Sequence, residues 1–239
     1  EPPAADVTTL VEPATDRVPL KRLPSQVKGA FVSAEDGRFF DHHGFDIEQI
    51  ARSLEIDLRD RRLARGGSTI SQQLVKNRIL TAKKDINRKV REIVLAIRLN
   101  KKYSKREILE QYLNTVYFGQ GSYGVKTAVE RFFLRGDQGS ALPRPKRLVE
   151  VTVAEAALLA GLISNPEGNN PFSNPDGAQA RRTLALRRMV DQGYITPTQA
   201  QAADSEPLRS QRDMLGPIGW RFGWRISWFR RRTKPGLPG

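Results

Sequence analysis

The 239-residue chain has no cysteine. A disulfide framework and a thiolate zinc centre are therefore excluded, and redox logic does not fix the compartment. Histidine is nearly absent too: His42 and His43 are the only two, which argues against a multi-histidine metal site. No run of about 18 apolar residues occurs, so nothing in the sequence as given reads as a membrane-spanning helix. Acidic residues are outnumbered, 26 Asp+Glu against 40 Lys+Arg, for a formal charge of +14. Such a surplus points to an anionic partner: nucleic acid, an anionic membrane surface or a phosphorylated substrate. Charge alone does not choose among the three. The sequence starts at Glu1 rather than Met, and the expectation is that an anchor or signal lies outside it.

What is present is mostly helical pattern. Glu1 to Pro24 is rich in Pro, Ala and Thr without periodicity and reads as a lead-in. Beyond it, Asp46 is placed to cap a helix carrying Ile47, Ile50, Leu54 and Leu58 on one face, with Gln49 at the capping-box position. Ser104 with Glu107, Thr152 with Glu155, and Thr196 with Gln199 repeat that box, and Pro197 is a favoured first-turn proline. Ile86, Val90, Ile93, Val94 and Ile97 make an apolar stripe at helical spacing. No central segment alternates well enough to pair into a sheet, so a mainly α protein is expected. The length suits one large domain with a loose tail. In the tail, Trp220, Phe222, Trp224, Ile226 and Trp228 alternate with Arg221, Gly223, Arg225 and Ser227. That pattern fits either a half-buried strand or an interfacial segment with aromatics at headgroup level.

Three segments carry candidate chemistry. Ser33 to Gly44 sets the adjacent carboxylates Glu35 and Asp36 beside Phe39, Phe40, His42 and His43. A carboxylate near apolar rings is desolvated, which raises its pKa and makes it a usable base, although an adjacent Glu-Asp pair is also common on surfaces. Arg65 to Asn77 offers two glycines, the hydrogen-bonding side chains Ser68, Thr69, Gln72 and Gln73, and the cation Lys76. It resembles a phosphate-cradling helix start but lacks the Gly-Lys-Ser/Thr ending of a nucleotide P-loop; a capped helix with a polar face is the alternative. In the third, Arg88 and Glu92 are four apart on one helical face, with Lys89 displaced by one. This is either an exposed ion pair or a cationic clamp with an acidic neighbour.

Taken in order, these segments resemble the signature of the family 51 peptidoglycan glycosyltransferases. The motif Glu-Asp-x-x-Phe-x-x-His-x-Gly is matched by Glu35, Asp36, Phe39, His42 and Gly44; Gly-Gly-Ser-Thr-Ile-(Thr/Ser)-Gln-Gln by Gly66 to Gln73, extending to Lys76 and Asn77; and Arg-Lys-x-x-Glu by Arg88, Lys89 and Glu92. A fourth runs from Lys105 to Asn114 and includes Tyr112, and a fifth, Gly-rich motif covers Gly119, Gly121, Tyr123, Gly124 and Ala128. The resemblance extends from about Leu20 to Ala203. It places the glycosyltransferase domain at 20–204, between a lead-in at 1–19 and a basic aromatic tail at 205–239. Two departures stand out: Phe132-Phe-Leu-Arg replaces the usual Tyr-Phe-Gly-Lys, and an apparent insertion spans Gly136 to Arg147. No Ser-x-x-Lys transpeptidase motif follows the domain.

The resemblance implies a lysozyme-like, mainly helical fold of two lobes with a cleft, the smaller lobe touching the membrane. It implies polymerisation of lipid II, with Glu35 as general base and release of undecaprenyl pyrophosphate. Glu92 is expected as the second catalytic carboxylate. Asp36, Ser68, Thr69, Gln72, Gln73, Lys76, Asn77, Arg88 and Lys89 are expected to bind substrate. Phe39, His42, Gly44, Tyr112 and Asn114 are expected as structural support, His42 as a brace behind Glu35. A Mg²⁺ or Mn²⁺ ion is admitted by the resemblance, without an assigned protein site, and no organic cofactor is expected. The implied partners are lipid II, the growing glycan chain, the membrane surface and other cell-wall synthesis proteins, at the extracytoplasmic face of a bacterial inner membrane. No nucleic-acid motif accompanies the charge, so no nucleic-acid partner is expected. A glycan-cleaving enzyme on the same fold is the rival enzyme, and a basic binding module the rival without chemistry.

Overall fold

A computed structural model describes residues 17–48, 51, 67–78, 86–135 and 144–208 of the chain. Among these residues eight α-helices dominate: α1 (Ser25–Glu35), α2 (Ile70–Arg78), α3 (Ile86–Lys102), α4 (Lys105–Thr115), α5 (Val125–Phe132), α6 (Val153–Leu162), α7 (Pro175–Asp191) and α8 (Pro197–Ser205). The mainly helical expectation therefore holds. One short antiparallel pair, Leu134–Arg135 with Arg144–Pro145, departs from it. That pair brackets most of the apparent insertion, whose residues 136–143 lie outside the described ones, as do 1–16 and the aromatic tail from 209.

The helix starts follow the local chemistry. Ser104, Thr152 and Thr196 each accept from the backbone N–H three residues on, and Glu107, Glu155 and Gln199 return the bond, completing three capping boxes. Asn174 caps α7, accepting from the Gly177 N–H at 3.0 Å. The helix proposed to begin at Asp46 is only partly described, since Ile50, Leu54 and Leu58 fall outside; Asp46 itself receives the Arg38 guanidinium.

Burial organises the helices into two groups. In α6, every residue from Ala156 to Leu162 is buried, as is Ala154, the pattern of a helix that is apolar all round and lies inside a core. It packs against α7, α1 and α8. Its small residues permit close approach: a Cβ on Gly161 would stand 2.9 Å from the Cβ of Arg181 on α7. The second group joins α2 to α3 and α4, with α5 packed on α4. The chain just before α1 is tied to this group, because Val18 donates to Asn114 Oδ1 (2.9 Å) and accepts from its Nδ2 (3.0 Å), while Leu20 donates to Glu110 (2.7 Å).

Helix α3 shows where periodicity misleads. It buries Glu92, Leu95, Ala96 and Leu99, a face offset from the stripe of Val90, Ile93, Val94 and Ile97. Val90 and Val94 are 56% and 42% exposed. The hydrophobic pattern was real, but its two valines face outward while Ile93 and Ile97 are half-buried.

The connection from α4 to α5 depends on glycine. Gly124 has φ +81°, and a Cβ there would meet the Asn114 carbonyl oxygen at 2.6 Å. Gly121 has φ +71° but open space around it. Gly124→Ala is therefore expected to destabilise the fold by about 3 kcal/mol, from strain plus overlap. Gly121→Ala should cost only about 1 kcal/mol, from the left-handed backbone alone. Urea denaturation of the two variants beside the parent measures both.

Candidate active site

Glu35 is the last residue of α1, at the seam between the two helix groups. Its Oε2 accepts from Gln73 Nε2 at 2.8 Å, and Gln73 Oε1 in turn accepts from the Tyr112 hydroxyl at 2.9 Å. Three helices thus meet in one hydrogen-bonded line: α1, α2 and α4. Burial pushes the Glu35 pKa up, and Asp36 adds to the rise; the Gln73 bond and the positive charges of Arg188 and Arg181 oppose it without reversing it. Arg188 also donates to the Ala34 carbonyl. Tyr112 is fully buried, and its pKa is raised by that burial and by Glu35 and Asp36, so its hydroxyl stays a donor.

Asp36 is turned away from Glu35 into the protein. It is 1% exposed, and its carboxylate accepts from His42 Nε2 at 2.9 and 3.0 Å and from the Ile70 N–H, the first residue of α2, at 2.9 Å. His42 Nδ1 accepts the Gly44 N–H at 3.1 Å, so Nε2 carries the proton donated to Asp36. Gly44 must be glycine, since a Cβ at its φ of +109° would meet the Ala96 carbonyl at 2.6 Å. The Gly44 carbonyl accepts from Thr69 Oγ1 at 2.7 Å. His42 thus bonds to Asp36 rather than to Glu35.

Two expected substrate ligands prove to be a helix cap. Thr69 and Gln72 are both 0% exposed. The Thr69 N–H donates to Gln72 Oε1 at 2.8 Å and the Gln72 N–H to Thr69 Oγ1 at 3.2 Å, a reciprocal box that starts α2. Asp36, Thr69 and Gln72 are therefore buried and bonded to neighbouring backbone and side chains, while Gln72 Nε2 is left without a hydrogen-bond partner among the described residues. The spacing from Thr69 to Gln72 was itself a capping signal.

The cations gather on the far side of Ser68. Lys89 Nζ donates to Ser68 Oγ at 2.9 Å and to Glu92 Oε1 at 2.6 Å, and Arg88 donates to Glu92 Oε2 at 3.2 Å. Glu92 is 1% exposed, and both cations, themselves only partly buried, grip that buried carboxylate. Arg88 Nε is buried with no partner among the described residues, which leaves a guanidinium N–H unspent. The Ser68 carbonyl also accepts from Gln73 Nε2 at 3.3 Å, so one serine links base and clamp. Lys76 and Asn77 are exposed, three and four residues beyond Gln73 and so on its face of α2. Phe39 is fully buried, and Lys105 Nζ stands 4.5 Å from its ring centroid without a hydrogen-bond partner among the described residues. Desolvation lowers the Lys105 pKa to about 8, with Asp36 and Asp41 opposing.

No group of three or more acidic or histidine side chains suited to a metal occurs among the described residues. Glu92, the carboxylate inside the clamp, has both oxygens engaged by cations, so among the described residues the donor set does not fit a protein-held Mg²⁺ or Mn²⁺. Residues 5–190 match the family model described as Transglycosylase. Penicillin-binding protein 1A of Aquifex aeolicus is 40% identical over 82% of this chain and 26% of its own length. Penicillin-binding protein 1A/1B of Bacillus subtilis is 41% identical over 81% of this chain and 20% of its own length. A Cupriavidus necator protein that carries a transglycosylase name is 38% identical over 87% of this chain and 84% of its own. The chain thus spans a fifth to a quarter of the two penicillin-binding relatives and most of the third.

The raised pKa of Glu35 has a consequence for stability. A carboxyl whose pKa is higher folded than unfolded adds stability below the unfolded pKa, and that contribution is lost as pH rises through the folded pKa. Glu35→Gln removes the buried charge. The variant should melt above the parent at pH 8, with the gap closing toward pH 4, as read by calorimetry.

Proposed function

Because the chain belongs to the transglycosylase family, the peptidoglycan glycosyltransferases of family 51, we propose that it polymerises lipid II into β-1,4-linked glycan and releases undecaprenyl pyrophosphate. The observation that carries this reading is the line Glu35–Gln73–Ser68–Lys89–Glu92, which joins a base with an elevated pKa to a cation clamp. Glu35 accepts the proton from the 4-hydroxyl of the acceptor GlcNAc as that oxygen attacks the anomeric carbon of the donor MurNAc. The new C–O bond forms on the face opposite the leaving group. The bond to pyrophosphate breaks, its electron pair leaves on the phosphate oxygen, and the α linkage becomes β.

Each residue type answers a demand of that step. A base works best with a pKa near the working pH, and desolvation supplies the upward shift. The departing pyrophosphate gathers negative charge, which preorganised cations stabilise more in the transition state than in the ground state. Arg88 suits bidentate contact with phosphate and Lys89 a point charge. Lys76 and Asn77, exposed on the face of Gln73, extend the contact toward the donor. Glu92 acts as a positioning carboxylate, holding both cations so that little reorganisation is needed. A Mg²⁺ or Mn²⁺ ion, were one to serve the reaction, would supply further neutralisation of the pyrophosphate charge and would depend little on protein ligands. Cleavage by hydrolysis would need a second carboxyl as acid or nucleophile, and Asp36 is committed to His42 and Ile70.

No helix among the described residues is long and apolar enough to cross a membrane. The lipid-linked substrate nonetheless calls for a membrane surface. Exposed Val90 and Val94 on α3, with Arg91 and Arg98 exposed on the same helix, suit an anionic bilayer at the extracytoplasmic face of the inner membrane.

The test is polymerisation of labelled lipid II in detergent with a divalent cation, products resolved by length. Glu35→Gln should lower the rate by roughly 10²- to 10⁴-fold. Lys89→Met should also lower it strongly while leaving the Glu35 carboxyl in place. A Glu35→Gln variant as active as the parent would remove Glu35 from the mechanism.

A further inference from the structure

A cavity of about 290 Å³ lies where the end of α5, the start of α6, part of α7 and the chain after α8 meet. None of Glu35, Gln73, Arg88 and Lys89 lines it. Much of its wall is apolar, supplied by Phe132, Phe133, Leu158, Pro171 and Leu208. The Phe132 ring is fixed by stacking on Phe172, with centroids 5.5 Å apart and planes 17° from parallel. Both departures of the sequence from the family pattern meet here. Phe132 stands where a tyrosine is usual, so that side of the wall lacks a phenol hydroxyl, and Lys146 comes from the apparent insertion.

One buried charge beside this wall has no carboxylate bonded to it among the described residues. Arg182 lines the cavity and is 3% exposed, yet its bonds run from Nη2 alone, to the carbonyls of Asp204 at 2.8 Å and Glu206 at 2.6 Å. Its Nε is buried without a partner among the described residues. Burial pushes the Arg182 pKa down, with Asp204 and Glu206 opposing. The other ionic groups of the wall are committed. Lys146 donates to one Glu155 oxygen at 2.6 Å, and the other accepts the Thr152 N–H at 3.0 Å. Glu206 is exposed and accepts from the Thr152 hydroxyl at 3.3 Å. The first turn of α6 adds positive character, because its cap answers the Glu155 N–H and leaves those of Val153 and Ala154 outside the helical ladder.

We infer that this cavity binds a small amphipathic monocarboxylate, its charge taken by Arg182 and the start of α6 and its apolar body by Phe132, Phe133 and Leu158. A carboxylate supplies the charge-assisted partner that the buried guanidinium lacks. A single negative charge is what the wall leaves open, since Lys146 and Glu155 neutralise each other and Glu206 repels a second. An apolar body follows from the rings, against which a bare anion would gain nothing. The site goes beyond the polymerase reading and does not rest on it.

The probe is phenylacetate, titrated into the full chain while backbone amides are followed by NMR. Saturable shifts are expected at Thr152 to Glu155, Arg182 and Glu206, with a Kd on the order of 1 mM for so small a ligand. Phenylacetamide, the same shape without the charge, should bind about tenfold more weakly, and Arg182→Gln should weaken phenylacetate by a similar factor. Leu208→Trp, which puts bulk into the cavity and leaves the Arg182 bonds in place, should also cost about tenfold. Arg182 also pins the chain after α8, so phenylacetamide and Leu208→Trp decide the matter if Arg182→Gln does not fold. No saturable shift at these amides, phenylacetamide binding as tightly as phenylacetate, or unchanged affinity in Leu208→Trp overturns the site. Tighter binding of phenylphosphonate, which carries more charge, overturns the choice of a monocarboxylate.

Discussion

The Gln73 side-chain amide is the joint on which the site depends. Its carbonyl end is fixed by the buried Tyr112 hydroxyl, so its amino end must face Glu35 and the Ser68 carbonyl. The amide cannot serve both ends unless α1, α2 and α4 keep their spacing. That requirement explains why so many buried polar groups around it are spent on structure. Asp36 draws in the start of α2 through the Ile70 N–H, Thr69 and Gln72 cap that helix, and Gly44 lets the chain cross α3 closely enough to receive Thr69. Each of these bonds satisfies a group that would be costly to bury unpaired.

The electrostatics follow from the same arrangement. Burial makes Glu35 more basic, while Gln73, Arg188 and Arg181 restrain the rise and keep it ionisable. At the other end, Glu92 is buried yet doubly paired, so Arg88 and Lys89 are held in place before any substrate arrives. A base and a cation pair that are oriented in advance suit a step in which a proton is taken at one end and negative charge appears at the other. Their link through one serine means that displacing α2 disturbs both.

Local signals were the most readable part of the sequence. The boxes at Ser104, Thr152 and Thr196 involve residues three apart, so spacing suffices to see them. The resemblance of the motifs singled out Glu35, Arg88, Lys89 and Glu92, and the fold brings all four into one network with Gln73 and Ser68. Roles set by contacts across helices were not readable. Asp36, Thr69 and Gln72 carry polar side chains that suggest ligand binding, and the sequence gives no sign that all three are buried in hydrogen bonds to the start of α2. The buried face of α3 was not readable from its apolar stripe, because Glu92, a charged residue, is buried while Val90 and Val94 are not. Arg188 stands 153 residues from Glu35 in sequence, Lys105 carries no motif that marks it as lying over Phe39, and nothing in their surroundings predicted either contact.

The central claim is that Glu35 is the base and that Gln73 sets its basicity. The pH dependence of kcat/KM for polymer formation, compared between the parent and Gln73→Met, tests both at once. The acid limb should report a carboxyl above the usual glutamate range in the parent and should move to still higher pH in Gln73→Met, because the lost hydrogen bond had favoured the charged form. An acid limb that stays at the same pH in the two proteins would contradict the account.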